Sequence, residues 1–167
     1  MIFCVRLLRV FQTTGGKLSW YLGCAFDRDR KKGVLRVSQR AFVESVVNRY
    51  GVDAESNLPA SQSDDLGPRR NDESVCDKPV RTAVGSLIWL SGMMRPDIAN
   101  VARAVARQVH NPVEKHWRAV MKVIAYLNKT KDLGLAFVKD CDLKLSVYVD
   151  ADYANKDMIG VGCLESQ

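Results

Sequence analysis

The sequence predicts an α+β fold, with strands towards both ends of the chain and helices between them. Near the start, the apolar-rich segments 17–26 and 33–37 flank the polar residues 27–32, a pattern typical of a β-hairpin. Residues 77–130 instead repeat apolar side chains in steps of three and four, which indicates amphipathic helices. The segment 143–149 alternates apolar and polar residues, which is the two-residue period of a half-buried strand.

A first helix is predicted directly after the hairpin. Ser38 is a favourable N-cap residue, because its hydroxyl can accept a hydrogen bond from the first turn. Phe42, Val46 and Tyr50 form one apolar stripe, and Gly51 is the expected stop.

Residues 52–76 contain Pro59, Gly67 and Pro68 among many Ser, Asp and Asn residues, which predicts a long loop. Loops of this length within a compact domain are usually functional or partly disordered. We expect this one to separate two subdomains.

Three further helices are predicted. The first begins at Asp77 and Pro79 and reaches about Met94, where Arg95-Pro96-Asp97 makes a sharp break. The second carries apolar residues from Ile98 to Val109.

The third helix follows Asn111-Pro112 and repeats apolar residues from Val113 to Leu127. The segments 133–138 and 143–149 then have the patterns of strands.

Charge is distributed in blocks along the chain, whose formal net charge is +6. Residues 1–50 and 81–130 are basic, whereas 51–80 and 131–167 are acidic. Basic helices next to an acidic region suit a surface for the phosphate backbone beside a cation-binding region. The alternative is that the basic residues only form solvated helix faces. The predicted phosphate contacts on these helices are Arg103, Arg107, Lys115, Arg118 and Lys122.

The cysteine and histidine pattern argues against a disulfide framework or a zinc site. The five cysteines are odd in number and include no C-x-x-C spacing, which favours a reducing, intracellular compartment. His110 and His116 are interpreted as solvated or helix-end residues rather than metal ligands. Arg6 and Arg9 interrupt the apolar run at the start, so no membrane span is predicted there.

Asp150 and Asp152 stand where the strand predicted at 143–149 ends. Carboxylates at such a position are candidate Mg²⁺ ligands for phosphoryl transfer, because Mg²⁺ binds one or two carboxylates together with substrate phosphates. The alternative is that both residues simply solvate the end of the strand and its turn.

Several motifs in order resemble the copia-type retrotransposon polyprotein, from the end of the reverse transcriptase palm into ribonuclease H. The family patterns are W-[FY]-L-G-x-x-F, Y-R-x-x-V-G-S-L-x-Y-L, T-R-P-D-I-A, P-x-x-x-H-W and Y-L-x-x-T-x-D-x-G-L, and this sequence resembles them in order at family spacing, with Met94 in the Thr place of the third. In this sequence they fall at Trp20–Phe26, Arg81–Leu90, Arg95–Ala99, Pro112–Trp117 and Tyr126–Leu135. The match extends over nearly the whole chain.

The resemblance implies a domain organisation. Residues 1–51 would be the end of the palm with a first thumb-like helix, and 52–76 a linker loop. Residues 77–132 would be thumb/connection-like helices, and 133–167 the truncated start of ribonuclease H with its β-strands.

The resemblance also implies site residues. The hairpin residues Trp20, Tyr21, Leu22 and Gly23 would lie where reverse transcriptases position the primer terminus. Asp150 would be the first metal-binding carboxylate of ribonuclease H, with Asp152 as a weak neighbour. In the parent family these carboxylates hold Mg²⁺ for two-metal hydrolysis.

The chain also departs from the family in ways that bear on activity. No Y-x-D-D turn precedes Trp20, and the further ribonuclease H carboxylates are absent, so Asp150 is vestigial. Met158-Ile159 replace a longer run of the family. We therefore expect no enzymatic activity and no bound cofactor for the chain alone.

Weak, sequence-independent binding of RNA–DNA or DNA duplex is expected, with neither a membrane nor a small-molecule substrate as a partner. The alternative is an active polymerase or ribonuclease H component that another chain completes. A protein co-opted by the host is a third possibility.

Overall fold

The computed structural model describes residues 17–61 and 64–139. Within them the chain forms a four-stranded antiparallel sheet, four α-helices and a short 3₁₀ turn. The strands are β1 (Trp20–Tyr21), β2 (Cys24–Asp29), β3 (Val34–Ser38) and β4 (Leu135–Val138). The helices are α1 (Arg40–Tyr50), α2 (Val80–Met93), α3 (Ala99–Ala106) and α4 (Glu114–Lys129), with the 3₁₀ turn at Pro96–Ile98. The strand predicted at 143–149 lies outside the described residues.

The sheet has the strand order β1-β2-β3-β4. The predicted hairpin is present but shifted, because Asp27 to Asp29 belong to β2 rather than to the connector. The reason is the turn itself: Asp29 Oδ1 accepts hydrogen bonds from the backbone N–H groups of Lys31 and Lys32. This interaction confines the turn to residues that follow Asp29.

The β1–β2 connection is a two-residue turn that sequence reasoning did not resolve. Tyr21 pairs with Cys24, so only Leu22 and Gly23 lie between the strands. Both have positive φ, 50° and 77°, the combination that a type I′ hairpin turn requires. Glycine adopts it freely, whereas Leu22 bears the steric cost of a left-handed backbone.

The last described strand, β4, joins the N-terminal sheet by pairing with β3 from Val34↔Val138 to Val37↔Leu135. Residues 133–138 were expected to begin a separate C-terminal unit. Leu135–Val138 form the fourth strand of the sheet that begins with β1, and the assignment of 133–167 to ribonuclease H stays a prediction.

The helix boundaries follow the local signals with two differences. Gly51 has a left-handed backbone and its N–H donates to Asn48 O, as expected for a helix stop. Ser38 does not cap α1, since it is the last residue of β3 and Gln39 occupies the N-cap position. The helix predicted from Asp77 begins at Val80.

One hydrophobic core joins all four helices. Val46 of α1, Leu87 of α2, Val105 of α3 and Ile124 of α4 are each at most 1% exposed within it. The loop that was expected to separate two subdomains contributes to the same core through the partly buried Leu66. Burial of apolar surface is the main favourable term in folding, so α1 and the later helices stabilise one another. The predicted palm, linker and thumb boundaries stay predictions.

We predict that Gly134→Ala destabilises the protein by about 1–3 kcal/mol, since overpacking typically costs that much. A Cβ at Gly134 would overlap the carbonyl oxygen of Val37 and lie 3.2 Å from Ser38 Cα, which would push β4 away from β3. Thermal and urea unfolding of the purified chain measure the change.

The matched control is Gly85→Ala in α2, where an added Cβ meets nothing within 4 Å. There the same substitution should stabilise by about 0.5–1 kcal/mol, because alanine loses less backbone entropy on forming a helix. Equal effects at both positions would contradict the role assigned to Gly134.

Candidate nucleic-acid interface

The residues between α2 and α3 hold a buried guanidinium. Arg95 is 2% exposed, and its Nη2 and Nε donate to the Asp97 carboxylate, with the shortest distance 2.8 Å. The same guanidinium donates to the carbonyl and the hydroxyl of Thr130, at 3.0 and 2.7 Å. Arg95 therefore ties the α2–α3 corner to the C-terminal end of α4, a structural role rather than a catalytic one.

The carboxylate of Asp97 also accepts a hydrogen bond from the Tyr126 hydroxyl at 2.8 Å. Burial alone would raise the pKa of Asp97, but the hydrogen bonds from Arg95 and Tyr126 outweigh it and hold this pKa below its usual value. Burial, aided by the neighbouring Asp97, raises the pKa of Tyr126. The R-P-D block thus forms an ion-pair network rather than a metal site.

His116 lies in the first turn of α4 and is fully buried. Its Nδ1 accepts from the Val113 N–H at 3.1 Å, so its Nε2–H donates to the Gly67 carbonyl at 2.9 Å. The prediction of a helix-end residue is confirmed, but that of a solvated one is wrong. The imidazole is buried because the 52–76 loop crosses it.

Two of the five predicted phosphate contacts are occupied by this loop. Lys115 Nζ lies 3.0 Å from Asp65 and 3.2 Å from Glu73, and only 14% of its side chain is exposed. Lys122 Nζ lies 2.8 Å from Asp64. Charge counting missed these pairs, although an acidic segment next to a basic helix was a signal for them.

These contacts shift the pKa values of Lys115, Asp64 and Asp65. Burial would lower the pKa of Lys115, but its hydrogen bonds to Asp65 and Glu73 dominate and raise it. The hydrogen bond from Lys122 lowers the pKa of Asp64. The backbone N–H of Gly67, followed by Lys115, lowers the pKa of Asp65.

The other three predicted contacts remain open to solvent. Arg103, Arg107 and Arg118 are exposed, and their side chains form no hydrogen bond or ion pair with residues 17–61 and 64–139. We refer to Arg103, Arg107 and Arg118 as the free arginines. The five basic residues predicted together are therefore not equivalent.

The β1–β2 turn presents its apolar residues to solvent. Trp20, Tyr21 and Leu22 are 54%, 58% and 57% exposed, and Gly23 is the second residue of the turn. An exposed aromatic pair beside a left-handed leucine is not explained by packing among the described residues.

A groove alongside β2 and β3 was not anticipated from the sequence. Half of its lining residues are basic, with Leu18, Phe26 and Leu35 as apolar members and Asp27 and Asp29 as acidic ones. The basic members of this groove, here named the hairpin groove, are Lys17, Arg28, Arg30, Lys31 and Arg36. The strand register places Arg36 beside Asp27 on one face of the sheet and Arg28 beside Leu35 on the other.

Asp150 and Asp152, the predicted magnesium ligands, lie outside the described residues. Within residues 17–61 and 64–139, no three His, Cys, Asp or Glu side chains converge as a metal site would require. In the same part of the chain, no helix combines the length and apolar character needed to cross a bilayer.

Comparison with known proteins finds similarity to transposon polyproteins. A retrovirus-related Pol polyprotein from transposon TNT 1-94 of Nicotiana tabacum is 32% identical over 149 residues, covering 83% of this chain and 11% of that protein. A retrovirus-related Pol polyprotein from transposon RE2 of Arabidopsis thaliana is 38% identical over 139 residues, covering 82% of this chain and 9% of that protein.

A third similar protein is named as an effector rather than as a transposon polyprotein. The secreted RxLR effector protein 161 of Plasmopara viticola is 36% identical over 76 residues, covering 46% of this chain and 54% of that protein. No family model and no solved structure matches the chain. The chain spans about a tenth of the length of the two polyproteins.

We predict that Asp97→Asn destabilises the protein by about 2 kcal/mol at neutral pH, since hydrogen bonds to charged groups contribute about that much. The folded-state pKa of Asp97 lies below the unfolded value of 3.8. The stabilisation by the carboxylate is therefore complete above that value and is lost as pH falls through the folded-state pKa. Urea unfolding between pH 2 and 7, which spans that range, should show the two proteins converging at acid pH.

The control is Asp132→Asn, which removes the carboxylate of an exposed ion pair with Arg40. Exposed pairs contribute about 0–1 kcal/mol, so this variant should stay close to the parent protein at every pH. A constant difference between the Asp97→Asn and parent proteins down to pH 2 would rule out the proposed linkage.

Proposed function

Because the chain is related to a segment of the Pol polyproteins of copia-type retrotransposons, we propose that it acts in the reverse transcriptase–ribonuclease H region. Its proposed role is to contact a nucleic-acid duplex, RNA–DNA or DNA, weakly and without sequence preference inside the cell. The observation that carries the proposal is the hairpin groove, with five basic residues, in the same sheet as the exposed aromatic turn but towards the other end of β2. Alone, the chain catalyses no reaction.

The exposed turn supports a contact with nucleic acid. Trp20 and Tyr21 present aromatic surface to solvent, and aromatic side chains are platforms on which bases stack at an end or an unpaired position. Leu22 follows Tyr21 and precedes Gly23, and its left-handed backbone conformation is strained for leucine. Local strain of this kind is concentrated at ligand-binding sites, which is consistent with the primer-terminus role that the motif implies.

The basic residues support binding to the phosphate backbone. Lys and Arg supply most phosphate contacts in protein–nucleic-acid complexes, and these contacts carry no sequence information. The hairpin groove and the free arginines together place eight such side chains on the surface without an ion-pair partner among the described residues. Lys115 and Lys122 are not counted, because the loop neutralises them.

The lack of catalysis follows from the number of matching carboxylates. Two-metal hydrolysis uses several acids that hold two ions roughly 4 Å apart. Only Asp150 matches a family ligand, with Asp152 two residues later, so we expect too few matching carboxylates to hold two ions. Mg²⁺ would supply water activation and charge stabilisation in a complete site.

We predict that Arg28→Ala/Arg30→Ala/Arg36→Ala and Arg103→Ala/Arg107→Ala/Arg118→Ala each weaken duplex binding. Each lost phosphate contact should lower the slope of log K against log salt by about 0.9. Fluorescence anisotropy with RNA–DNA and DNA duplexes of two unrelated sequences, over a salt series, measures affinity, slope and specificity.

The matched control is Arg49→Ala/Arg81→Ala/Lys131→Ala, which removes the same charge from other helix and loop positions. It should keep most of the affinity. Binding that is insensitive to salt, or equal losses in all three variants, would count against the assigned surfaces.

We predict that the purified chain neither hydrolyses RNA in an RNA–DNA hybrid nor extends a primer, for lack of a complete two-metal site. The assay uses excess protein, a labelled hybrid and Mg²⁺ or Mn²⁺. Asp150→Asn is the matched control. Cleavage that the control abolishes would favour the other candidate function, an active component completed by a second chain.

A further inference from the structure

We propose that Asp64, Asp65 and Glu73, here named the acidic clasp, occupy a second phosphate-binding face on α4 and keep it from nucleic acid. Displacement of the clasp would expose Lys115 and Lys122 beside Arg118. This inference rests on the proposed duplex contact, but it concerns a different surface from the hairpin groove.

The three basic residues lie along one side of α4. Lys115, Arg118 and Lys122 are spaced three and four residues apart, so they are neighbours on the helix surface. Together with Asp64 and Asp65 they line one cleft, in which Arg118 has no ion-pair partner among the described residues. Without the carboxylates this cleft would present three adjacent cations.

The clasp accepts hydrogen bonds that Lys115 and Lys122 would otherwise donate to a phosphate. An ammonium group has three donors, and Lys115 Nζ directs them to Asp65 at 3.0 Å, Glu73 at 3.2 Å and the Pro68 carbonyl at 3.2 Å. Lys122 Nζ donates to Asp64 at 2.8 Å and to the Ser61 hydroxyl at 2.6 Å. Lys115 thus has no donor left for a ligand while the clasp is in place.

Backbone contacts hold the loop against α4 on both sides of the clasp. The Ser56 N–H donates to the Ala125 carbonyl at 3.2 Å, and Cys76 N–H donates to the Pro112 carbonyl at 2.8 Å. Between them, Gly67 O accepts from His116. These anchors hold the loop next to α4, so that the carboxylates lie against the lysines while no ligand is bound.

The ion pairs themselves are weak enough for a polyanion to compete with them. The side chains of these pairs are between 14% and 44% exposed, so water and salt reach them and screen the attraction in part. Nucleic acid can replace the carboxylates with several phosphates at once and release counterions as it does so. The clasp therefore acts as an internal competitor rather than a permanent cover.

The test is Asp64→Asn/Asp65→Asn/Glu73→Gln, which keeps side-chain shape and removes the competing charge. Its affinity for a duplex at low salt should rise about tenfold or more, and its salt slope should steepen by about 2, one contact for each released lysine. Anisotropy over a salt series measures both.

Two further variants separate the clasp from a general charge effect. The control variant is Asp53→Asn/Glu55→Gln/Asp77→Asn, which removes three exposed carboxylates that form no ion pair among the described residues. Its affinity for the duplex should rise only slightly. Adding Lys115→Ala/Lys122→Ala should abolish the gain in the clasp variant and change the parent protein less than twofold. A gain equal to that of the control, or one that survives loss of both lysines, overturns the inference.

Failure of this proposal is distinguishable from failure of the proposed function, because the proposed function is tested by the hairpin-groove and free-arginine variants.

Acetylation by acetic anhydride, followed by mass spectrometry, measures how far the clasp protects Lys115 and Lys122 in the absence of any ligand. In the parent protein Lys115 and Lys122 should react more slowly than the exposed Lys31 and Lys32, and neutralising the clasp should remove the difference. Equal rates in the folded parent protein overturn the inference.

Should the triple variant not fold, Asp65→Asn/Glu73→Gln/Arg70→Ala releases Lys115 alone, because it also removes Arg70, the other ion-pair partner of Asp65. The slope should then steepen by about 1, and Lys115 alone should become more reactive. An unchanged slope in that folded variant would overturn the inference.

Discussion

The buried guanidinium of Arg95 is the interaction on which the arrangement of the other elements depends. Its charge is compensated by Asp97 and by the Thr130 carbonyl at the end of α4, where the helix carries partial negative charge. Separating the α2–α3 corner from α4 would leave this charge buried without a partner, which is costly. The orientation of α4 is therefore fixed, and with it the direction of its basic side and the exit of the chain towards β4.

The end of α4 also determines how the sheet is completed. After Thr130 the chain passes Asp132, which pairs with Arg40 of α1, and Gly134, which lies directly against the backbone of β3. Only a residue without a side chain allows that approach, so β4 can hydrogen-bond to β3. A buried charge in the helical part thus supports strand pairing in the sheet.

Local signals in the sequence predicted the features that depend on neighbouring residues. Gly51 ends α1 because glycine tolerates a left-handed backbone, and the break at Arg95-Pro96-Asp97 follows from proline. The pairing of β4 with β3 could not be predicted in this way, because it depends on where α4 directs the chain. The same limit applies to the site: composition identified Lys115 as basic, but only the path of the 52–76 loop shows that carboxylates neutralise it.

The residues in the motifs that carry the resemblance fall into two groups: contacts within the described residues account for some of them and not for others. Arg95, Asp97 and His116 lie in motifs, and the described contacts satisfy each of them within the scaffold. Trp20 and Tyr21 also lie in a motif, yet they remain more than half exposed and gain no such contact. Large aromatic surface left in water next to a strained leucine lowers stability without any compensation inside the described part of the chain. An external ligand would supply that compensation, so the β1–β2 turn, together with the hairpin groove towards the other end of β2, is where a function beyond folding is best sought.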